Sequence, residues 1–363
     1  MLVSDAACLR FLIARKFDVN KALAMIKEAV EIRTRDNLDA ILDAPNHEVI
    51  EKILAHYPAC WHGFDRRGHP IYIEFMGRVD FAQIVADTSM EDFLKFHALC
   101  QEWTRRKVHA LATARQLSMG VHRRVDSAVA IMDLKGLGRK QLKTVSYNFL
   151  TNIAKVDSIC YPESLLETWI INTGLLFSVA YAVVRPFLDE RTTSKFKIFR
   201  NTPTKEFSEI LGAENLPPWY GGSYPAESTD EASVLANAPL MTRFRYLIKH
   251  GNQAYEERFG IKPEMLQPGF DWSAMLETER QLGVGGVEDE IKANLAAAAA
   301  ALAAAETATE SKEANVPEDV KEELLEAQQV ALEVLQNLHA DPSTLEAVQN
   351  ELNSLAVAQE STE

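Results

Sequence analysis

Four short apolar runs separated by helix-length segments constrain this chain more than any other feature. They are Ile71-Tyr72-Ile73-Glu74-Phe75, Ala128-Val129-Ala130-Ile131-Met132, Trp169-Ile170-Ile171-Asn172 and Phe196-Lys197-Ile198-Phe199. The segments between them, about 90–114, 139–155 and 177–187, carry helix-like patterning. Strands joined through helices need crossover connections, which give a mainly parallel sheet. The fold class is therefore α/β. Ahead of the sheet, Leu9, Phe11, Leu12, Ala22, Leu23, Met25, Ile26, Ala29 and Ile32 recur at helical spacing, and Asp18 stands where a helix cap belongs. Residues 1–48 read as a helical N-terminal lobe. Because the chain opens almost directly into this pattern, we expect that lobe to be incomplete. Residues 49–222 read as the α/β domain and 223–283 as an extension packed beside it.

The charge is concentrated at one end. The 363 residues carry a net charge of −14, and residues 284–363 alone hold 17 acidic and 3 basic side chains, a difference of −14. The rest is neutral, which argues against the clustered cations that nucleic acid requires. The tail begins with nine alanines between Leu295 and Ala305. Pro317 and Asp341-Pro342 look like helix starts, and Leu324, Leu325, Ala331, Leu332, Leu335 and Leu338 form an apolar stripe. Composition favours a partly disordered acidic tail. A helical hairpin or a partner-binding amphipathic segment is the other reading.

Cys8, Cys60, Cys100 and Cys160 form no CxxC pair, so neither a disulfide framework nor a zinc knuckle is indicated. Met1-Leu2-Val3-Ser4-Asp5 does not resemble a secretory signal, and no apolar run reaches the ~18 residues of a membrane span. A reduced, cytoplasmic compartment is expected. No GxSxG, HExxH or GxxxxGK motif points to an enzyme. His56, Cys60 and His62 lack an evident fourth metal ligand, so they read as loop and cluster residues. No metal or cofactor is expected.

Leu175-Leu176-Phe177-Ser178-Val179-Ala180-Tyr181-Ala182-Val183-Val184 is apolar almost all round, which suits a buried helix or the wall of a greasy cavity. Several further segments carry a resemblance. Leu9-Arg10-Phe11-Leu12-Ile13-Ala14-Arg15-Lys16-Phe17-Asp18-Val19 resembles the opening motif of CRAL-TRIO lipid-binding proteins. Gly68-His69-Pro70-Ile71-Tyr72, Met132-Asp133-Leu134-Lys135-Gly136, Tyr161-Pro162-Glu163, Ile170-Ile171-Asn172, Arg185-Pro186-Phe187-Leu188-Asp189 and Trp219-Tyr220-Gly221-Gly222 follow in that family's order. The likeness is greatest to its fungal and plant phosphatidylinositol transfer proteins.

The resemblance implies a helical lobe beside a sheet that floors a lipid cavity, gated by a helix at 177–187. It implies a headgroup site at Arg15 or Lys16, Glu163, Asp189, Thr192 and Lys195. A phosphodiester and a polyol need such cations and hydroxyls, and Glu163 would pair with Lys195. Trp61, Tyr72, Ala128 and Ala130 fall on cavity positions, and Phe177 and Tyr181 on the gate. In relatives that also hold phosphatidylcholine, hydroxyl residues stand where this chain has Ala128 and Ala130. Choline-lipid binding is thereby put in doubt, a sterol or other apolar second ligand becomes the alternative, and the same alanines speak against haem. The implied function is exchange of phosphatidylinositol between membranes through transient contact with their surfaces. The alternative is a lipid-regulated interaction protein that presents its ligand to a kinase or other partner, docked through the acidic tail.

Overall fold

The computed structural model describes residues 4–224, 238–276 except 273, 318–337 and 342–360. Five strands form one sheet in chain order: β1 (Ala59–Phe64), β2 (Pro70–Glu74), β3 (Ala128–Asp133), β4 (Leu165–Ile171) and β5 (Phe196–Ile198). Strands β2 to β5 run parallel, while β1 pairs antiparallel with β2. The sheet is thus mainly parallel, and all four expected runs are strands. β1 is an addition. Its Ala-Cys-Trp-His-Gly-Phe sequence lacks clean alternation, and its pairing slips between Trp61 and Gly63. The hairpin turns at Gly68, whose φ of +84° suits glycine and where a Cβ would also strike the Gln116 side chain.

Helix α1 (Asp5–Ala14) is capped by Ser4, and α2 (Val19–Arg35) by Asp18, which accepts from the Lys21 N–H at 3.0 Å. Their apolar faces meet in a cluster containing Phe11, Met25, Ala29, Ala98 and Tyr161, which joins the lobe to the body. An inner ion pair reinforces that junction. Arg33 meets Glu102 at 2.7 Å, and Arg105 shares the same carboxylate at 2.7 Å. Removing one member would leave a buried charge uncompensated.

After α3 (His47–Leu54) and α4 (Phe81–Asp87), the expected helix over 90–114 is two helices, α5 (Met90–Trp103) and α6 (His109–Ser118). A wide π-type turn over Thr104–Val108 joins them. Next come α7 (Thr144–Cys160), α8 (Leu175–Val184) and the single turn α9 (Glu190–Thr193). Helix α10 (Pro239–Phe259) breaks at Gly251, where φ is +80°. Its Phe244 packs on Trp61 and Trp103, with ring centroids 4.7 and 5.5 Å apart, so the extension enters the main core. Two tail segments are helical, α11 (Glu318–Asn337) and α12 (Pro342–Glu360). The alanine-rich stretch 295–305 lies outside the described residues.

Several of the motifs noted in the sequence converge on Asp133, at the end of β3. Its carboxylate accepts from the Lys135 N–H at 2.9 Å, from Asn172 Nδ2 at 2.8 Å and from the Tyr220 hydroxyl at 2.8 Å. Nearby, Gly77 lies against the Leu134 and Lys135 carbonyls, where a Cβ would come within 2.2 Å of an oxygen. These motifs lock the ends of β3 and β4 together.

Candidate functional site

Strand pairing sorts side chains onto two faces of the sheet. Ile71, Ile73, Val129 and Ile131 are fully buried in the packed core. The opposite face carries a row built by register: Trp61 opposite Tyr72, Tyr72 opposite Ala130, Ala130 opposite Thr168, Thr168 opposite Phe196. That row floors a cavity of about 850 Å³. Helices α1, α5, α6 and α7 contribute walls, through residues such as Phe11, Phe96, Ala110 and Phe149. A cavity of this size suits an organic ligand, and its apolar walls require polar groups only at chosen points.

Two polar groupings meet the cavity. The first stands at its edge, where Pro162, Ser164, Leu165 and Thr192 line it. There Lys195 Nζ reaches Glu163 Oε2 at 3.2 Å and the Leu165 carbonyl at 2.7 Å. Arg191 Nε meets the other Glu163 oxygen at 2.5 Å. Arg10 of α1 donates to the Glu163 carbonyl at 2.8 Å and to that of Asp126, pinning the turn. The Asp189 carboxylate accepts from both the N–H and the hydroxyl of Thr192, each at 2.8 Å. Arg191 and Lys195 thus flank one carboxylate while Arg10 holds the backbone carbonyl of the same residue, an arrangement able to receive a phosphate.

The second grouping consists of Tyr57, Glu74, His97, Gln101 and Asp157, all of which line the cavity. Tyr57 donates to Glu74 at 2.7 Å, His97 meets Asp157 at 2.8 Å, and Gln101 donates to Asp157 at 3.1 Å. Burial raises the Glu74 carboxyl pKa, although hydrogen bonds from Tyr57 and Tyr72 and the charge of His97 oppose it. Burial works against His97⁺ too, but the Asp157 charge and hydrogen bond outweigh it and raise the imidazole pKa. This grouping offers carboxylate acceptors, an imidazole biased toward its charged form, and the neutral donors Tyr57 and Gln101.

The sequence shows the same origin as the geometry. A model described as the CRAL/TRIO domain matches residues 54–222, and one for the CRAL/TRIO N-terminal domain matches residues 3–28. The chain belongs to the CRAL/TRIO family. Among curated proteins, the phosphatidylinositol/phosphatidylcholine transfer protein SFH4 of Arabidopsis thaliana is 34% identical over 216 residues, 59% of this chain and 34% of that protein. SFH7 of the same plant, with the same description, is 33% identical over 214 residues, 59% and 38% of the two chains. The SEC14 cytosolic factor of Eremothecium gossypii is 28% identical over 262 residues, 72% of this chain and 83% of that one. The match therefore spans little more than a third of the length of these plant relatives.

Within this CRAL/TRIO frame, the structure brings Glu163, Asp189, Thr192 and Lys195 together. Of these only Thr192 is among the residues lining the cavity; Glu163, Asp189 and Lys195 are not, and neither are Arg15 and Lys16. Arg15 donates to the adjacent Ala14 carbonyl at 3.2 Å, and Lys16 is exposed just past the end of α1 with φ +52°. Arg10 is the α1 cation that reaches the site, and its sequence signal was helical spacing. Ser4, Ala7, Arg10 and Phe11 all line the cavity from one face of α1. Trp61, Tyr72, Ala128 and Ala130 line the cavity. Thr168, opposite Ala130, adds a hydroxyl residue to the same row.

Phe177 and Tyr181 stack on α8 at 5.5 Å, and Tyr181 approaches the cavity residue Phe196 at 6.3 Å. Both are half-buried rather than fully presented to solvent. The second-grouping residues Tyr57, Glu74, His97 and Asp157 were missed. Strand alternation from Tyr72 could have found Glu74, two positions on along β2. Among the described residues no group of three His, Cys, Asp or Glu side chains could hold a metal. His56 instead meets Asp87 at 3.0 Å, and the Cys60 thiol is buried. Nor, among them, is any helix long and apolar enough to cross a membrane.

Proposed function

We propose that this protein encloses one phospholipid, phosphatidylinositol, and exchanges it between membranes while working in the cytoplasm at their surfaces. The observation that carries this reading is a cavity lined by Thr192 and Arg10, beside which stands the Lys195–Glu163–Arg191 cluster. The transfer activity and cytosolic location in the names of the relatives support it.

The energetics fit exchange. Two acyl chains hold roughly 30 methylenes, each contributing about 0.8 kcal/mol on leaving water. That term nearly cancels between bilayer and cavity, because both are dry. Selectivity then rests on the headgroup, where charge-assisted hydrogen bonds are worth about 1.5–3 kcal/mol each. Lys195 and Arg191 face the phosphate, and Thr192 and Asp189 serve the inositol hydroxyls. Arg15 and Lys16 lie on the outer approach. The methyl groups of Ala128 and Ala130 suit a second ligand of apolar character, such as a sterol.

Vesicle-to-vesicle transfer of labelled phosphatidylinositol tests the reading. The wild-type chain transfers it, and the double variant Thr192→Ala with Lys195→Ala loses transfer while unfolding at the same temperature. Undiminished transfer by a folded double variant would overturn the assignment.

A further inference from the structure

Helix α8 works on two fronts. Phe177 and Tyr181, one turn apart, lean toward β5 and the cavity. Val179, Ala182 and Val183 lie on another face and are almost fully buried, against Ala331, Val334 and Leu335 of α11. Helix α12 also contacts α8, and α11 reaches α7. The acidic tail thus grips the body at the helix flanking the cavity.

We propose that α11 and α12 form an intramolecular cover on the apolar face of α8, and that a bilayer must displace this cover before the cavity opens. The inference rests on the exchange function proposed above and concerns its control. Three observations carry it.

First, α8 is apolar on nearly every side, so in water an uncovered α8 would expose an apolar patch. At a bilayer the hydrocarbon replaces the cover, and the cost of release falls. The same contact therefore holds in solution and yields at a membrane. Second, the charge distribution selects the surface. Residues 284–363 carry 17 acidic against 3 basic side chains on an otherwise neutral chain. An anionic leaflet repels the tail while leaving the body indifferent, which favours separation of the two. Third, the covered interface leaves a polar group unsatisfied. Tyr147 of α7 lies in the same buried cluster, and its hydroxyl has no hydrogen-bond partner. A buried hydroxyl without a partner penalises the closed state, and lifting the cover would let water satisfy it.

Hydrogen exchange of the full wild-type chain reads the cover directly. In solution the amides of 327–335 and 176–183 are expected to be protected. Vesicles of phosphatidylcholine with phosphatidylserine should strip protection from 327–335, and phosphatidylcholine vesicles should do so less. A second arm uses the full chain carrying Val334→Asp and Leu335→Asp. Phosphatidylinositol loading should be unchanged, and transfer should rise by at least roughly tenfold, as expected when a minor open state of no more than about 10% becomes dominant. A chain that loads and transfers lipid while 327–335 stays protected on vesicles overturns the cover alone. So does a loaded double variant that transfers no faster. A wild-type chain that loads no lipid removes the exchange function and the cover with it.

Discussion

The two polar groupings of the cavity are built on opposite plans. At the edge, Lys195 and Arg191 pair with the Glu163 carboxylate, and Arg10 holds the Glu163 backbone carbonyl. At the second grouping, Tyr57 donates to Glu74, while His97 and Gln101 both meet Asp157. One grouping carries two cations on a carboxylate, and the other carries two carboxylates with one imidazole and neutral donors. The proposed function places an anionic headgroup at the Lys195–Arg191 grouping and its tails over the sheet row that contains Ala130. The contrast shows that an apolar pocket acquires polarity from a few charged and hydrogen-bonding groups placed at chosen points.

The largest effect expected from breaking this contrast is at Lys195. Lys195→Glu places a second carboxylate against Glu163 and the incoming phosphate. Loss of one charge-assisted contact, about 1.5–3 kcal/mol, lowers phosphatidylinositol affinity roughly ten- to hundredfold. Titration with labelled lipid checks this, and Gln101→Ala in the second grouping should leave that affinity within about twofold, well inside the 1.4 kcal/mol of a tenfold change.

Next in size are the imidazoles. His97 is raised by Asp157, whereas His109, on the cavity wall without a hydrogen-bond partner, is pushed down to about 3 by burial and by the charges of Arg10, His69, Arg124 and Arg105. Burial likewise lowers His62 to about 4. Folding requires His62 and His109 to stay neutral, so their contribution is present above the ordinary value near 6.5 and is lost as pH falls toward the folded values. Between pH 6.5 and 5 each costs about 2 kcal/mol. Thermal unfolding across that window should show the loss, and His109→Leu should flatten it.

Glu74 gives a smaller effect of opposite sign. Its folded pKa lies above the unfolded one, so the folded state holds the proton more tightly and stability declines as pH rises through the raised value. Glu74→Gln should remove that decline in melting curves and leave phosphatidylinositol affinity unchanged. The smallest effect belongs to the two ends of α1. Arg10→Ala frees the turn that holds Glu163 and should weaken phosphatidylinositol more than Arg15→Ala or Lys16→Ala does in the same titration.

Much of this was legible in the chain, for identifiable reasons. Crossover-length spacing gave the parallel strands, whereas the period-two alternation that would have set Glu74 on the face of Tyr72 went unused. The tail was harder to read. Its composition pointed to disorder, yet the described residues hold two helices. Of the expected stripe, Ala331 and Leu335 are buried, Leu325 is exposed, and Leu338 lies outside the described residues. Burial there depends on α8 as a partner, a tertiary contact that tail periodicity alone does not reveal. β1 was missed because a slipped register erases alternation. Arg10 was overlooked in favour of Arg15 and Lys16 because α1 ends before them, and the end of a helix decides which cations face inward.

The central claim is that the cavity holds a whole phospholipid recognised at the Lys195–Glu163 edge. Mass spectrometry of lipids extracted from the purified full-length chain tests it most directly. The account predicts one phospholipid per chain, enriched in phosphatidylinositol, and loss of that species from a folded Thr192→Ala, Lys195→Ala variant. A wild-type chain that emerges without phospholipid, or a double variant carrying as much phosphatidylinositol as the wild type, would contradict it.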